Sequence, residues 1–411
     1  MIDCVTPRQA DSAESSIGSV TDSPHPRADE LLTGAVEALP VGRLAEQVAE
    51  GNALRVKLGI DPTAPDIHLG HCVVLDKLAD FQRAGHEVVL IIGDYTAMVG
   101  DPSGRDTQRP ILSAEEIAAN AATFEQQAFK ILDEAATTVR FNSEWLEMPT
   151  HELFRLARAV TVAQVLERDD FAKRMAADKP ISILETLYPL LQGYDSVAVE
   201  ADVELGGTDQ KFNLLLARDV QRSYGVPEQS ILCMPILPGI DGKQRMSKSL
   251  GNYVGITEVP EEMFGKLMSI PDDAMPDYYA MVLREEFDPE EPPNLAKRRL
   301  AGSVVERFHG RDAARGAEEK FDAVHVRHEV PGDVPGLSLA GAVGDAEPVH
   351  LPALIASAFE LSTSEARRLL SQGGVRLDGE VLAADLLDMP SNELTGRTLQ
   401  AGKRRFVSLE P

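Results

Sequence analysis

Two imidazole side chains, His68 and His71, lie three residues apart where a predicted strand gives way to a helix, and they flank Gly70 in the run H-L-G-H. The run G-I-D-P-T just before them contributes Gly59, Asp61 and Thr63. Residues three apart share one face of a helical turn, and a helix N-terminus favours phosphate through its unpaired N–H groups and its dipole. The motif therefore predicts a phosphate site. On its own it is equally compatible with a helix cap and a surface histidine.

A second run, R-M-S-K-S-L-G-N, places the cations Arg245 and Lys248 three residues apart with Met246 and Ser247 between them. Two cations among small hydroxyl residues suit a mobile loop that closes on polyphosphate and stabilises its charge as it departs. As an isolated motif, this run would more often be a solvated loop. The two motifs stand at opposite ends of one region of alternating strands and helices, and their pairing is far more specific than either motif alone.

A polar stripe on an otherwise apolar helix is predicted by Tyr188, Gln192 and Asp195, which are spaced by four and three residues. A phenol, an amide and a carboxylate on one stripe suit a ligand that carries its own hydroxyl group. The alternative is a solvated helix face, but Leu187 and Leu190 help to make this segment too apolar for that interpretation to be favoured.

Two glycine-containing segments follow predicted strands and supply further polar groups. The run G-G-T-D-Q contains Gly207, Asp209 and Gln210 at the carboxyl end of a strand, where open parallel sheets bind ligands. The loop at 93–104 ends in D-P-S-G, which begins with Asp101. By themselves, the first segment would be a tight turn capped by Asp209 and the second a β-turn.

The elements that must position these residues are strands alternating with helices, a pattern that predicts a parallel sheet. Strand-like segments lie at 53–60, 87–92, 137–141, 198–205 and 230–236. After about residue 255 only helical patterns follow, and residues 329–349 are rich in Gly, Pro and acids, as linkers are. We therefore expect an α/β chain with five parts: a disordered tail (1–35), a Rossmann-like catalytic domain with a connective insertion (36–254), an α-helical domain (255–328), a linker (329–349) and a small α+β domain (350–411).

Composition excludes several classes of protein. Hydrophobic residues make up 43% and charged residues 26% of the 411 residues, which is ordinary for a globular protein and not for a disordered one. Neither a membrane-spanning run nor an export signal is visible, so a cytoplasmic location is expected. The three cysteines form no C-x-x-C pair, and no spacing predicts a metal site. The net charge of −26 argues against a general nucleic-acid coat protein, although a local basic patch could still bind RNA.

The paired motifs resemble the signatures H-I-G-H and K-M-S-K-S of the class I aminoacyl-tRNA synthetases, with Arg245 in place of the first lysine. The patterns Y-x-x-x-Q-x-x-D and G-G-x-D-Q, together with the loop at 93–104, resemble the tyrosyl-tRNA synthetases specifically, from about residue 36 to the C-terminus. The resemblance implies that L-tyrosine is activated with ATP and Mg²⁺ to tyrosyl-adenylate, with release of pyrophosphate, and is then transferred to the 3′ end of tRNA(Tyr). It also implies a homodimer, for which the region 145–190 is the candidate interface.

The resemblance also assigns roles by motif position. Asp195 would accept the phenolic O–H of tyrosine, and the remaining substrate groups would be held by Tyr188, Gln192, Asp101 and Gln210. The nucleotide would be bound by Gly59, Asp61, Gly70, Gly207, Asp209, Met246 and Ser247. Catalysis at the phosphates would rest on Thr63, His68, His71, Arg245 and Lys248. Many bacterial relatives place a second tyrosine, in contact with the substrate hydroxyl, where this chain has Lys57, so phenol recognition is expected to depend more heavily on Asp195.

The C-terminal run S-x-S-E-A-R-R-L-L-S-Q-G-G-V-R-L-D-G-E resembles the S4 RNA-binding fold. Its candidate phosphate-facing side chains are Arg367, Arg368 and Arg376, with Lys403, Arg404 and Arg405 as further candidates.

Three alternatives remain open from the sequence: a tryptophanyl-type synthetase, an RNA-binding paralogue without aminoacylation activity, and a simple nucleotidyltransferase. Asp195 and the S4-like segment favour tyrosine over tryptophan.

Overall fold

The computed structural model describes residues 28–103, 112–327, 334–344, 347–402 and 405–411. The part before residue 235 alternates strands and helices. Its elements are α1 (Ala28–Leu32), β1 (Glu37–Leu39), α2 (Arg43–Ala49), β2 (Arg55–Ile60), α3 (Leu69–Arg83), β3 (Glu87–Ile92), α4 (Thr96–Val99), α5 (Ala114–Ala128), β4 (Thr137–Phe141), α6 (Ser143–Leu146), α7 (Thr150–Ala157), α8 (Val162–Leu166), α9 (Asp169–Ala176), α10 (Ile183–Ala198), β5 (Val203–Gly207), α11 (Lys211–Tyr224) and β6 (Ser230–Met234).

Six of these strands form one sheet in the order β1-β6-β5-β2-β3-β4, and all neighbours are parallel except the edge strand β1. Helices cover both faces, so strands such as β3 are almost continuously apolar. After β2, the chain adds β3 and β4 on one side of that strand, and it later adds β5 and β6 on the other side. Ligands bind at such a reversal of strand order, outside the carboxyl ends of the strands. The predicted α/β class with a parallel sheet is confirmed.

Two local predictions in this part are wrong. The predicted disordered tail (1–35) is too long, because α1 lies within its last residues and Leu31 is buried in the main core. Residues 1–27 lie outside the described residues. The strand expected from residue 198 begins only at Val203, because α10 continues to Ala198 and a turn with Glu200 at positive φ intervenes. A short apolar run does not distinguish the end of a buried helix from a buried strand.

A helical region follows, with α12 (Pro260–Met268), α13 (Met275–Tyr278), a π-helical turn (Tyr279–Leu283), α14 (Pro293–His309) and α15 (Arg311–His325). Its apolar side chains share one core with those of the sheet region. Arg307 pairs with Asp76, and Arg284 donates to both carboxylate oxygens of Asp80 at 2.8 and 2.6 Å. Both aspartates lie on α3, so the helical region holds in place the helix that His68 caps.

The C-terminal part is a small α+β unit. Its elements are β7 (Gly336–Ser338), α16 (Leu339–Val343), β8 (Val349–His350), α17 (Leu351–Ala358), α18 (Thr363–Ser371), β9 (Val375–Leu377), β10 (Glu380–Val381), β11 (Asp388–Met389), α19 (Ser391–Leu394), β12 (Thr398–Ala401) and β13 (Arg405–Glu410). Five strands form a sheet in the order β10-β9-β12-β13-β7 over a separate hydrophobic cluster.

The predicted linker is wrong over its described middle section. Residues 336–338 pair in parallel with β13, and Leu339 of α16 is buried in the C-terminal cluster. Gly336, one of the glycines that suggested a linker, is paired with Ser408 of β13. Across the described ranges, no helix has both the length and the apolar character needed to cross a membrane.

Candidate active site

A cavity of about 510 Å³ opens at the carboxyl ends of β2 and β5. All seventeen residues predicted for tyrosine, nucleotide or phosphate lie on its wall: Gly59, Asp61, Thr63, His68, Gly70, His71, Asp101, Tyr188, Gln192, Asp195, Gly207, Asp209, Gln210, Arg245, Met246, Ser247 and Lys248. They come from segments distributed over almost two hundred residues of sequence. The fold thus brings together every side chain that the motifs singled out in this part of the chain.

Asp195 is buried on α10, a helix that begins with a capping box between Ser182 and Glu185. Trp145 Nε1–H donates to its Oδ1 at 2.8 Å, and Asn142 Nδ2 lies 3.4 Å from its Oδ2. Burial raises the pKa of this carboxyl to about 7, while the charge of Lys57 opposes that shift. The motifs did not reveal Trp145 and Asn142. The available signal was their position just after β4, at the same edge of the sheet.

Asp61 is held between two hydroxyl groups. Tyr188 donates its O–H to Oδ2 at 2.8 Å, and Thr96 donates its hydroxyl to Oδ1 at 2.6 Å. A Cβ atom at position 93 would lie 2.2 Å from Asp61 Oδ1 and 2.4 Å from Thr96 Oγ1, so only glycine fits there. Tyr188 and Asp61 thus form a hydrogen-bonded pair on the cavity wall.

Asp101 and Gln210 contact each other although they are far apart in sequence. Gln210 Nε2 donates to Asp101 Oδ2 at 2.9 Å, and Ser103 donates to Oδ1 through its backbone N–H and its hydroxyl. The guanidinium of Arg168, which is only 4% exposed, lies 3.7 Å from the same Oδ1. Arg168 comes from the inserted helices, and sequence reasoning missed it because nothing in its local pattern marks it.

His68 caps α3, and its ring stacks on that of His71 with 3.9 Å between the ring centroids. Burial and the nearby charge of Lys248 lower the pKa of His71 to about 4, and burial together with His71 lowers that of His68 to about 2. Both rings are therefore neutral at pH 7. His71 Nδ1 accepts the backbone N–H of His68 at 3.3 Å, so the ring proton of His71 is on Nε2.

The loop that carries the second motif is held by its own polar groups and by two carboxylates of the cavity wall. Asn252 accepts the backbone N–H of Ser247 and donates to Asp241. Arg245 Nη1 contacts Asp209 Oδ2 at 2.9 Å, and Lys248 Nζ pairs with Asp66. The pKa of Asp209 is raised by burial and lowered less by Arg245. Asp66, two residues before His68, was not among the predicted site residues.

The position of Lys57 answers a question that the sequence left open. Its side chain is fully buried and is absent from the described cavity wall; it pairs with Glu204 at 2.8 Å. The second contact to a phenol is therefore not supplied by this position.

The predicted RNA-binding side chains Arg367, Arg368 and Arg376 lie outside the cavity, exposed on α18 and β9. Arg405 is exposed at the start of β13, and Lys403 and Arg404 lie outside the described residues.

Known proteins provide an independent comparison. Residues 49–326 match the family model described as tRNA synthetases class I (W and Y). The chain is 49% identical to the tyrosine–tRNA ligase of Moorella thermoacetica, over 92% of this chain and 94% of that one. It is 48% identical to the tyrosine–tRNA ligase of Methylococcus capsulatus, over 92% and 98% of the two chains.

Solved structures agree at the level of the fold. The tyrosyl-tRNA synthetase complexed with L-tyrosine from Archaeoglobus fulgidus superposes with a TM-score of 0.60 and 24% identity, over 71% of this chain and 98% of that one. Because these curated relatives act on tyrosine and span almost the whole chain, the tryptophanyl-type and non-catalytic alternatives are not favoured. The chain belongs to the tyrosine–tRNA ligases, the class I aminoacyl-tRNA synthetases that use ATP to join L-tyrosine to tRNA.

Proposed function

We propose that the cavity consists of a tyrosine end at Asp195, a nucleotide end at Asp209 and a phosphate wall at the two histidines. The observation that carries this division is the buried carboxylate of Asp195, which keeps lone pairs free beside its bond from Trp145. A phenolic O–H would be accepted there. Phenylalanine would leave a buried acceptor without its partner, which is costly.

The remaining groups of tyrosine match the other acceptors and donors. Tyr188 through its oxygen, Gln192 through its amide oxygen and Asp101 through its carboxylate would hold the α-ammonium. Gln192 Oε1 is a buried atom with no hydrogen-bond partner in the described residues, which supports this role. Gln210, which donates to Asp101, would orient the substrate carboxylate.

The nucleotide would lie over three glycine positions at the ends of the strands and of α3. Gly59, Gly70 and Gly207 let the backbone approach a flat ring or a ribose closely. A Cβ atom at position 207 would lie 2.7 Å from Asp209 Oδ1, so glycine leaves room there for this carboxylate, which lies on the cavity wall and would bind ribose hydroxyls. Asp61, Met246 and Ser247 complete this wall.

In the proposed first step, the tyrosine carboxylate attacks the α-phosphorus of ATP in line and pyrophosphate leaves. A carboxylate is already nucleophilic at pH 7, so positioning and charge stabilisation are the tasks of the protein. Thr63 and the neutral N–H groups of His68 and His71 would donate to phosphate oxygens. Arg245 and Lys248 would exchange their carboxylate partners for the departing phosphates. In the second step, a hydroxyl group of the terminal ribose of tRNA attacks the carbonyl carbon of tyrosyl-adenylate, so that the tyrosyl group is transferred to tRNA and AMP leaves.

Magnesium is proposed to arrive bound to the phosphates of ATP. Within the described ranges, no group of three or more His, Cys, Asp or Glu side chains is arranged to hold a metal ion. The chemistry supplied by magnesium would be the neutralisation of phosphate charge.

Exchange of labelled pyrophosphate into ATP, measured with each of the twenty amino acids, tests the assignment: we expect exchange with L-tyrosine that requires Mg²⁺. Exchange driven by tryptophan, or by no amino acid, would overturn it.

The C-terminal unit is proposed to be an S4-like RNA-binding domain. Arg376 on β9 lies opposite Gln400 on β12, which lies opposite Phe406 on β13, so a cation, an amide and an aromatic ring form one row across the sheet. Arg367 and Arg368 are exposed on the neighbouring helix. Such a combination suits phosphate contacts and base stacking. Because its substrates are ATP and tRNA, we also propose that the protein acts in the cytoplasm.

The inserted helices are proposed to form a homodimer interface. Apolar side chains are exposed along this region: Phe154 (63%), Val162 (75%), Met175 (53%), Ile183 (82%) and Leu184 (45%). A concentration of exposed apolar side chains is typical of a protein–protein interface.

Ile183→Glu is therefore expected to convert a dimer into a monomer in sedimentation or light scattering, because burial of the new carboxylate at the interface is unfavourable. Val41→Glu is the matched control, since Val41 is 88% exposed but lies outside the insertion. An Ile183→Glu variant that remains dimeric would remove this surface from the interface.

A further inference from the structure

A buried ion pair beneath the tyrosine end of the cavity is not used by the reaction as described so far. Lys57 on β2 and Glu204 on β5 are partners in the parallel register of adjacent strands, and they are 0% and 1% exposed. Lys57 Nζ lies 2.8 Å from Glu204 Oε1. Two charges so deeply buried require almost complete hydrogen bonding to be tolerated.

That requirement is met by groups on α10 and by Gln229, which lies just before β6. Lys57 Nζ donates to Ser196 Oγ at 2.9 Å and to the backbone carbonyl of Gln192 at 3.1 Å. Glu204 Oε2 accepts from Ser196 Oγ at 3.1 Å and from Gln229. The pair therefore fixes the turn of α10 that contains Asp195 against the central strands of the sheet.

The same pair sets the orientation of the Gln192 amide. Gln192 Nε2 donates to Glu204 Oε1 at 3.3 Å, so its Oε1 is left as the acceptor without a partner in the described part of the chain. An acceptor is the group that an ammonium requires. The reverse orientation would present an N–H group to a cation.

We infer that Lys57 and Glu204 are positioning residues for tyrosine recognition, which orient the Gln192 amide and hold the Asp195 segment of α10. This inference rests on the proposed tyrosine site. The two residues also act on Asp195 with opposite charge: Lys57 favours the ionised carboxylate and Glu204 opposes it. Among the described residues, the side chains that hydrogen-bond to Asp195 are the neutral Trp145 and Asn142, and Asn142 also donates to Thr96 of α4.

The test is tyrosine-dependent pyrophosphate exchange by the full chain between pH 5.5 and 9, with three variants: Lys57→Met, Glu204→Gln and the double variant Lys57→Met/Glu204→Gln. Each is expected to raise KM for tyrosine by about 10- to 100-fold, the effect of one misplaced hydrogen bond to a charged group, while KM for ATP stays within about twofold. The acid limb of kcat/KM for tyrosine should move to higher pH in Lys57→Met and to lower pH in Glu204→Gln. Opposite shifts from two halves of one ion pair are not produced by a general loss of packing.

The double variant removes both charges and avoids a lone buried ion, so it keeps the test decisive if a single variant does not fold. Arg174→Met/Glu185→Gln is the matched control: this buried pair also ends on α10, at 2.6 Å, but lies at its first turn. It is expected to lower stability without moving the acid limb. An unchanged KM for tyrosine in a folded double variant would overturn the inference; the opposite shifts of the acid limb are expected largely to cancel in that variant. Failure of the wild type to use tyrosine would instead overturn the proposed site.

Discussion

Asp195→Asn is expected to lower kcat/KM for tyrosine by about 10²- to 10³-fold, the usual effect of removing one partner of a buried, charge-assisted hydrogen bond. The amide keeps the shape of the side chain and can still accept from Trp145, so the loss reports the missing charge. Asp209→Asn is the matched control, because that carboxylate lies on the same cavity wall at the proposed nucleotide end. It should raise KM for ATP and leave KM for tyrosine almost unchanged. Equal effects of both variants on tyrosine would contradict the division of the cavity.

The same substitution is expected to stabilise the ligand-free protein. Burial raises the pKa of Asp195 from its ordinary 3.8 to about 7. The folded state then binds this proton more tightly than the unfolded state, so stability falls as pH rises from about 4 and reaches its full penalty above pH 7. Each pKa unit corresponds to about 1.4 kcal/mol, which makes the penalty about 4 kcal/mol. Asparagine cannot ionise, so the Asp195→Asn variant does not carry this penalty.

Urea denaturation of the wild type and of Asp195→Asn at pH 4, 6 and 8 measures this effect. The advantage of the variant should be small at pH 4, grow through pH 6 and level off above pH 7. If the difference in unfolding free energy between Asp195→Asn and the wild type does not depend on pH, burial does not destabilise the ionised carboxylate in the free enzyme. The carboxylate that recognises the phenol would thus reduce stability until tyrosine supplies its partner.

The site could be predicted from sequence where its residues follow the periodicity of one element. Tyr188 and Asp195 share a helical face, and His68 and His71 share a first turn, so spacing alone places each set together. Trp145, Asn142, Arg168 and Asp66 could not be found in this way. They contact the predicted site residues Asp195, Asp101 and Lys248 from loops and short helices, where no period relates one residue to the next.

Lys57 illustrates a different limit. Its neighbours Val56 and Leu58 are also buried, so alternation along β2 does not indicate which side chain faces the cavity and which faces Glu204. Only the register between β2 and β5 decides it. The wrong boundaries of the predicted tail and linker have a similar cause. The elements found there, α1 and β7, are only five and three residues long, and they are stabilised by distant parts of the chain: the main core for α1 and β13 for β7.

Lys248→Met is expected to lower kcat for adenylate formation by about 10²- to 10³-fold, because it removes a preorganised positive charge from the departing pyrophosphate. KM for tyrosine should change little, since Lys248 lies at the other end of the cavity. Arg245→Lys is the conservative control: it keeps the charge and recreates the family's K-M-S-K-S, so activity should survive. Single-turnover formation of tyrosyl-adenylate measures both variants without a contribution from product release.

Asp66→Asn is expected to act in the opposite direction. In the free protein, the carboxylate of Asp66 is the partner of Lys248, so ATP must compete with it for the same ammonium group. Removing that competitor should lower KM for ATP by at most about fivefold, the size expected for a partly exposed ion pair. The gain should shrink as salt is added, because the pair is accessible to screening ions. If Asp66→Asn instead lowered kcat as far as Lys248→Met does, Asp66 would have to hold Lys248 in place during the reaction, and the exchange of partners proposed for this loop would be wrong.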